Sequence, residues 1–168
     1  MTVVFEQVFI LFVFALAGYL LSKCALIDPA HSKLLSSLLV YVFLPANVLK
    51  TFASNCTPDY LREKYPLVIG GVVTTALLVL GAYFGAKLFA KGDYQRKIYR
   101  YALAVPNYSY MGYALAGSLL GSTGLLNIML FSMGLVVYNY VGAFPMLTKR
   151  KTSFRSLLNP MIIAVILG

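Results

Sequence analysis

Charge is what this chain has least of. Lys, Arg, Asp and Glu make up 11% of its 168 residues, against about 25% in an ordinary soluble domain. Only five of these charged residues are acidic, and no acidic pair falls inside an apolar stretch, which argues against a cation pump. The two cysteines, Cys24 and Cys56, fall at opposite ends of the topology argued below. That separation disfavours a disulfide, and their spacing has no metal-binding signature. The single histidine, His31, sits in a connection and reads as a surface residue. The chain has no glycine-rich nucleotide loop and no residue spacing suited to hydrolysis, so nothing in it points to an enzyme, a cofactor or a metal. A signal peptide is a poor reading of the N-terminus, because the first apolar stretch carries Glu6 and Gln7, runs long and leads into further apolar sequence.

What the chain has is hydrocarbon. Sixty per cent of its residues are hydrophobic, its mean hydropathy is +0.81, and five runs at 3–21, 34–52, 66–90, 98–120 and 125–147 are nearly free of ions. Each approaches or exceeds the roughly 20 residues that cross a bilayer core as helix. The expected fold is therefore an all-α integral membrane protein with five transmembrane helices and a lipid bilayer as its solvent. The connections are short. One contains Asp28 and Pro29, a helix cap and a first-turn proline. The next holds Thr57, Pro58 and Asp59 and ends at Pro66, another plausible helix start, and a fourth is the uncharged turn Gly121-Ser122-Thr123-Gly124.

The net charge of +9 is a topology signal rather than a nucleic-acid footprint. Eleven of the 14 Lys and Arg residues lie in or beside the first, third and fifth connections, and three, Lys50, Arg62 and Lys64, lie on the other side. By the positive-inside rule the N-terminus is outside and the basic connections are cytoplasmic, in a multi-pass protein of the cell membrane. After the basic stretch 148–158, Asn159-Pro160-Met161 opens another apolar segment that reaches about half a span by Gly168. It reads as the start of a sixth helix in a longer polypeptide, or as a partial helix lying against a partner.

Two spans carry interruptions. Pro45, with Asn47 two residues on, breaks the second run; the alternative is an ordinary bent helix whose Asn47 bonds a neighbour. The fourth run holds Pro106-Asn107-Tyr108-Ser109-Tyr110-Met111-Gly112, where a proline, an amide and a hydroxyl cluster ahead of a glycine. Such a cluster suits a broken helix whose freed backbone groups form a polar site near the midplane; structural packing is the competing reading. A carboxylate could be met there by amide, hydroxyl and unpaired N–H donors at the positive end of a half-helix. Tyr138 and Asn139 in the fifth run either line the same cavity or join neighbouring helices. Gly70, Gly71, Gly81 and Gly85 permit close approach of the third helix to others, and Gly81 and Gly85 have the four-residue small spacing.

Together, the run 14–21, Leu39-Val40-Tyr41-Val42-Phe43-Leu44-Pro45-Ala46, the Pro106 to Gly112 stretch and Asn159-Pro160-Met161-Ile162-Ile163-Ala164 resemble the auxin efflux carrier family, which includes plant auxin exporters and bacterial malate-permease-like proteins. The likeness implies ten helices in two inverted repeats of five, with a broken crossover fourth helix. Residues 1–147 would be the first repeat, 148–158 a basic cytoplasmic connection and 159–168 the start of the sixth helix. It also implies alternating-access transport of an organic anion, a dicarboxylate such as malate or an auxin-like monocarboxylate. Asn107, Ser109, Asn47 and Tyr108 would bind it, and Pro106, Pro45 and Gly112 would break the helices. The missing C-terminal repeat would complete the site; a homodimer is the other candidate partner, although the basic bias opposes insertion of two copies in opposite orientations. The rival reading is a non-transporting subunit or inactive fragment with purely structural kinks.

Overall fold

The computed structural model describes residues 2–26, 28–148 and 159–168, and every element among them is helical. The basic residues Lys149, Arg150, Lys151 and Arg155 lie outside the described residues. Helix α1 (Thr2–Lys23) closes through paired bonds, from Leu26 N–H to the Leu21 carbonyl at 3.0 Å and from Ala25 N–H to the Ser22 carbonyl at 3.1 Å. Ala25, at φ 55, takes the left-handed position that ends such a helix.

Helix α2 (Pro29–Leu38) starts on the expected proline and runs through a π-helical turn, Leu39–Phe43, into α3 (Leu44–Asn55). The sequence allows Pro45 either as a break in this run or as an ordinary bend, and the helix continues from His31 to Asn55, because the turn just before the proline is wide. Leu44 N–H bonds back five residues to the Leu39 carbonyl, and the extra residue accommodates the ring and the missing N–H.

Helix α4 (Pro58–Phe89) corrects a boundary. Pro66 was a plausible start for the third span, yet the helix begins eight residues earlier and carries Pro66 inside it. Local capping explains this: Thr57 has extended backbone, its hydroxyl accepts from Tyr60 N–H at 3.2 Å, and Pro58 fills the first helical position. Thr57→Ala should lower stability by about 1 kcal/mol, read as a lower thermal midpoint in detergent that Thr57→Ser restores.

Next come α5 (Asp93–Ala104), an interruption at residues 105–107, a π turn Tyr108–Gly112, α6 (Tyr113–Tyr138), a third π turn Asn139–Ala143 and α7 (Phe144–Thr148). The short α8 (Pro160–Leu167) ends the chain. The run Asp93–Thr148 has 56 residues, which as one straight helix would be roughly 84 Å long. It is not straight. Gly121, at φ 68 and ψ −163, is non-helical, and the Tyr113 and Ser132 hydroxyls, 19 residues apart in sequence, meet at 2.9 Å. A continuous helix would hold them about 28 Å apart, so the chain doubles back at Gly121.

By length and composition four helical runs are apolar enough to cross a membrane: Val4–Lys23, His31–Asn55, Pro58–Phe89 and Asp93–Thr148. Helix α4 packs on α5 and α6, and α3 packs on α6 and α8. The core joins Val48 and Phe52 of α3, Tyr113, Leu126, Met129 and Leu130 of α6, and Met161 and Ala164 of α8. Helix α1 buries none of its apolar span, and large side chains such as Phe5 and Phe14 stay exposed. That is the expected arrangement where lipid is the solvent.

Small residues bring α4 close to its neighbours, although the pair Gly81 and Gly85 does less than its spacing suggests. Gly81 faces open space, and Gly85 meets only the Leu103 side chain. The buried small positions on α4 are Gly71, Thr75, Ala82 and Ala86. Both cysteines are free, and burial pushes the Cys56 thiol up, which leaves it a weak nucleophile at neutral pH.

Candidate functional site

The polar interior is built where helical order fails. Helix α5 makes its last regular bond from Val105 N–H to the Tyr101 carbonyl at 2.9 Å. Pro106 then has no N–H to return to the Ala102 carbonyl. Asn107, at φ −77 and ψ 63, is the centre of an inverse γ-turn, closed by Tyr108 N–H on the Pro106 carbonyl at 2.8 Å. Because the Tyr108 amide is used there, the Ala104 carbonyl also loses its helical donor. The chain re-enters helix through a π turn, with Gly112 N–H on the Asn107 carbonyl at 3.2 Å and Tyr113 N–H on the Tyr108 carbonyl. Gly112 itself has helical dihedrals, φ −61 and ψ −48. It widens the ladder, so the break belongs to residues 105–107 and not to this glycine.

Two helix ends therefore face the interruption: the carbonyl end of α5, and the N–H end of the segment that starts at Tyr108. An N–H end attracts anions. The first-turn amides after Tyr108 have no helical acceptor, and the Ser109 hydroxyl stands among them. Asn107 is exposed, while Tyr108 and Ser109 are half-buried.

Beyond the break, side chains from separate elements meet. The Tyr108 and Tyr113 rings pack edge to face with centroids 5.9 Å apart, and Tyr113 shares a hydroxyl hydrogen bond with Ser132 at 2.9 Å. The Asn139 carboxamide adjoins the Tyr108 hydroxyl, yet its Oδ1 is buried with no hydrogen-bond partner among the described residues. Tyr140, next in the same π turn, lies against Asn159 and within electrostatic reach of Tyr110 and Tyr41, which belong to the other two π turns. Each of the three wide turns thus places a tyrosine within electrostatic reach of the others through Tyr140. Turns of this kind are rare and collect at functional sites.

Not every candidate joins this cluster in the same way. Asn47 is exposed on α3, and its backbone carbonyl accepts the Thr51 hydroxyl at 2.8 Å. Tyr138 is half-buried and lies towards Arg100. Tyr140 belongs to the polar stretch Tyr138-Asn139-Tyr140 read as cavity-lining or packing, whereas Tyr113, Ser132 and Asn159 were not singled out as site residues. Their signal was faint, because a lone Tyr or Ser in an apolar run has the pattern of an ordinary interface anchor. Pro145 was missed too, although it sits two residues past a π turn as Pro45 does. A separate cleft of about 260 Å³, lined by Asp93, Tyr94, Lys97, Ile98 and Leu147, includes none of the candidate binding residues. Among the described residues no group of His, Cys, Asp and Glu could hold a metal ion.

A family model described as "Membrane transport protein" matches residues 3–154. The chain is 22% identical over 144 residues to an uncharacterized transporter of Methanocaldococcus jannaschii, a match that covers 82% of this chain and 46% of that protein. The chain thus spans about half the length of this curated relative. No solved structure matches it.

Proposed function

The chain belongs to the membrane transport protein family, and we propose that it supplies the first repeat of a secondary transporter that moves organic anions by alternating access. In this reading residues 1–147 cross the bilayer five times, the fourth and fifth crossings being the two arms that meet at Gly121. The N-terminus is outside and the basic connections are cytoplasmic, as the charge bias favours. Residues 159–168 begin the sixth helix, and the following half of the polypeptide completes the inverted repeat.

The observation that carries the reading is the interruption at Pro106 and Asn107, where the N–H end of a half-helix opens with its first-turn amides lacking helical acceptors. A carboxylate takes hydrogen bonds from the amides following Tyr108, from the Ser109 hydroxyl and from the carboxamide of Asn107. Asn47 contributes when α3 and the broken segment approach in another state of the cycle. Asn139 and Tyr138 line the inner wall. An anion carried without a counter-ion responds to the membrane potential, about 2.3 kcal/mol per charge per 100 mV. Malate and an auxin-like monocarboxylate both suit a site of this chemistry.

The test is reconstitution of the protein encoded by the full reading frame into vesicles, with uptake of labelled malate and an indole carboxylate measured under an imposed potential. Asn107→Ala should cut flux about tenfold or more, as expected for the loss of a hydrogen bond to a charged group worth ~1.5–3 kcal/mol, with helix content unchanged. Flux and affinity equal to the parent would remove this amide from the site. A parent protein that moves neither acid would favour a non-transporting subunit.

A further inference from the structure

The basic surplus near the α4–α5 connection was explained above as a topology signal, but its side chains are arranged more closely than topology requires. The Lys87 ammonium lies 4.6 Å from the centroid of the Tyr83 ring, and the Arg100 guanidinium carbon lies 4.5 Å from the same centroid. The two charges are therefore at most about 9 Å apart, close to the screening length of about 8 Å at physiological salt, so that their repulsion is only partly screened. The aromatic face offsets part of this repulsion. No carboxylate bridges Lys87 or Arg100 among the described residues.

One turn back on α5, Arg96 reaches Asp93 only at 3.4 Å, and that Asp93 side chain is 92% exposed, a pairing worth little. Between residues 87 and 100 the sequence holds five cations and this one carboxylate. The Nε atoms of both Arg96 and Arg100 are buried without a hydrogen-bond partner. A buried guanidinium N–H with no acceptor is costly, and two of them beside a lysine leave the positive charge of this cluster poorly compensated by the described residues.

We propose that Lys87 and Arg100, which both lie over Tyr83 where α4 packs on α5, form with Arg96, one turn back on α5, a binding site for a phosphate group. Guanidinium forks and an ammonium suit the spread oxygens of a phosphoryl group. The surroundings suit a lipid phosphodiester, since Leu88, Phe89 and Tyr94 are all more than 70% exposed beside the cluster and offer an apolar surface to acyl chains. Inorganic phosphate presents the same anion without the chains. The site stands apart from the proposed transport reaction and does not depend on it.

The test uses the purified chain in neutral detergent, with the melting temperature followed while phosphatidylglycerol, phosphatidylcholine or inorganic phosphate is titrated. Phosphatidylglycerol should raise the melting temperature and phosphatidylcholine should not. Lys87→Gln and Arg100→Gln should each weaken the apparent affinity about fivefold, the scale of one cation near an anionic headgroup. Arg62→Gln, near the opposite end of α4, should respond like the parent. Each variant is compared with its own melting temperature in phosphatidylcholine, and if one fails to fold the other decides. A shift by inorganic phosphate that competes with the lipid would identify a free-phosphate site, whereas a shift by the lipid alone would identify a headgroup site. The proposal is overturned if neither phosphate source shifts the parent, or if the folded variants keep its response to phosphatidylglycerol.

Discussion

Gly71→Ala is expected to unseat α4 from α6 and lower the unfolding midpoint in detergent more than any other single methyl addition on α4. A Cβ at this position would fall on the backbone carbonyl oxygen of Phe131, and backbone, unlike the tip of a long side chain, cannot rotate away. The two helices are locked from both sides, because a Cβ at Gly134 would come within 2.9 Å of the Val72 Cα. Thr75 also spends its hydroxyl on the Gly71 carbonyl at 2.8 Å. Between helices in lipid the hydrophobic effect supplies no drive, so association rests on close packing and weak backbone contacts. Overpacking costs about 1–3 kcal/mol or more even in adaptable cores, and a backbone obstacle puts this site at the upper end. Gly81→Ala is the control: its added methyl meets nothing within 4 Å, and it should leave the midpoint unchanged or raise it slightly through helix propensity. Equal midpoints for the two variants would show that α4 and α6 do not touch along this seam.

Gly121→Ala should destabilise the fold for the opposite reason, with no clash at all. Nothing lies within 4 Å of a Cβ built there, so the whole cost is in the backbone. The pair φ 68 and ψ −163 belongs to a region that only glycine occupies readily, and holding another residue in it costs about 1–3 kcal/mol. The reversal brings Tyr113 to Ser132 and α6 back onto itself, so a variant that relaxes towards helical dihedrals pulls that pair apart. Unfolding midpoints should fall as they do for Gly71→Ala. Crosslinking between cysteines placed at Tyr113 and Ser132 should fall with them; retention of both would show that the turn tolerates a side chain.

These two glycines illustrate how unevenly the structure could be read in advance. Gly121 stood in an uncharged Gly-Ser-Thr-Gly turn between two apolar runs, and its role as a connection was legible from composition alone. Gly71 was one of several small residues on the third run. It stands with Gly70, Gly81 and Gly85 among the residues read as permitting close approach, which its contact with α6 bears out, while the four-residue spacing singles out Gly81 and Gly85, because sequence alone does not show which face of an apolar helix meets a neighbour and which meets lipid. The prolines divide in the same way. Pro106, in company with Asn107 and Ser109, opens the backbone. Pro45 and Pro145 are absorbed by wide turns, and Pro66 sits inside a helix whose start is set by Thr57 and Pro58. Proline chemistry is the same in all four; a wide turn precedes Pro45 and Pro145, none precedes Pro66 within α4, and at Pro106 the helix opens.

Hydropathy and charge, read along the chain, were sufficient for the helical class, the membrane as solvent and the approximate runs, because a bilayer imposes length and polarity on every segment independently. The family came instead from the resemblance of four short stretches. What the tertiary structure decided was which interruptions bend and which open, and that Tyr108, Tyr113, Ser132, Asn139, Tyr140 and Asn159 form one connected polar cluster. It also brought Lys87 and Arg100 over the same ring, Tyr83. Those contacts join residues distant in sequence, and they depend on helix rotation and on one extra residue in a turn, neither of which hydropathy records.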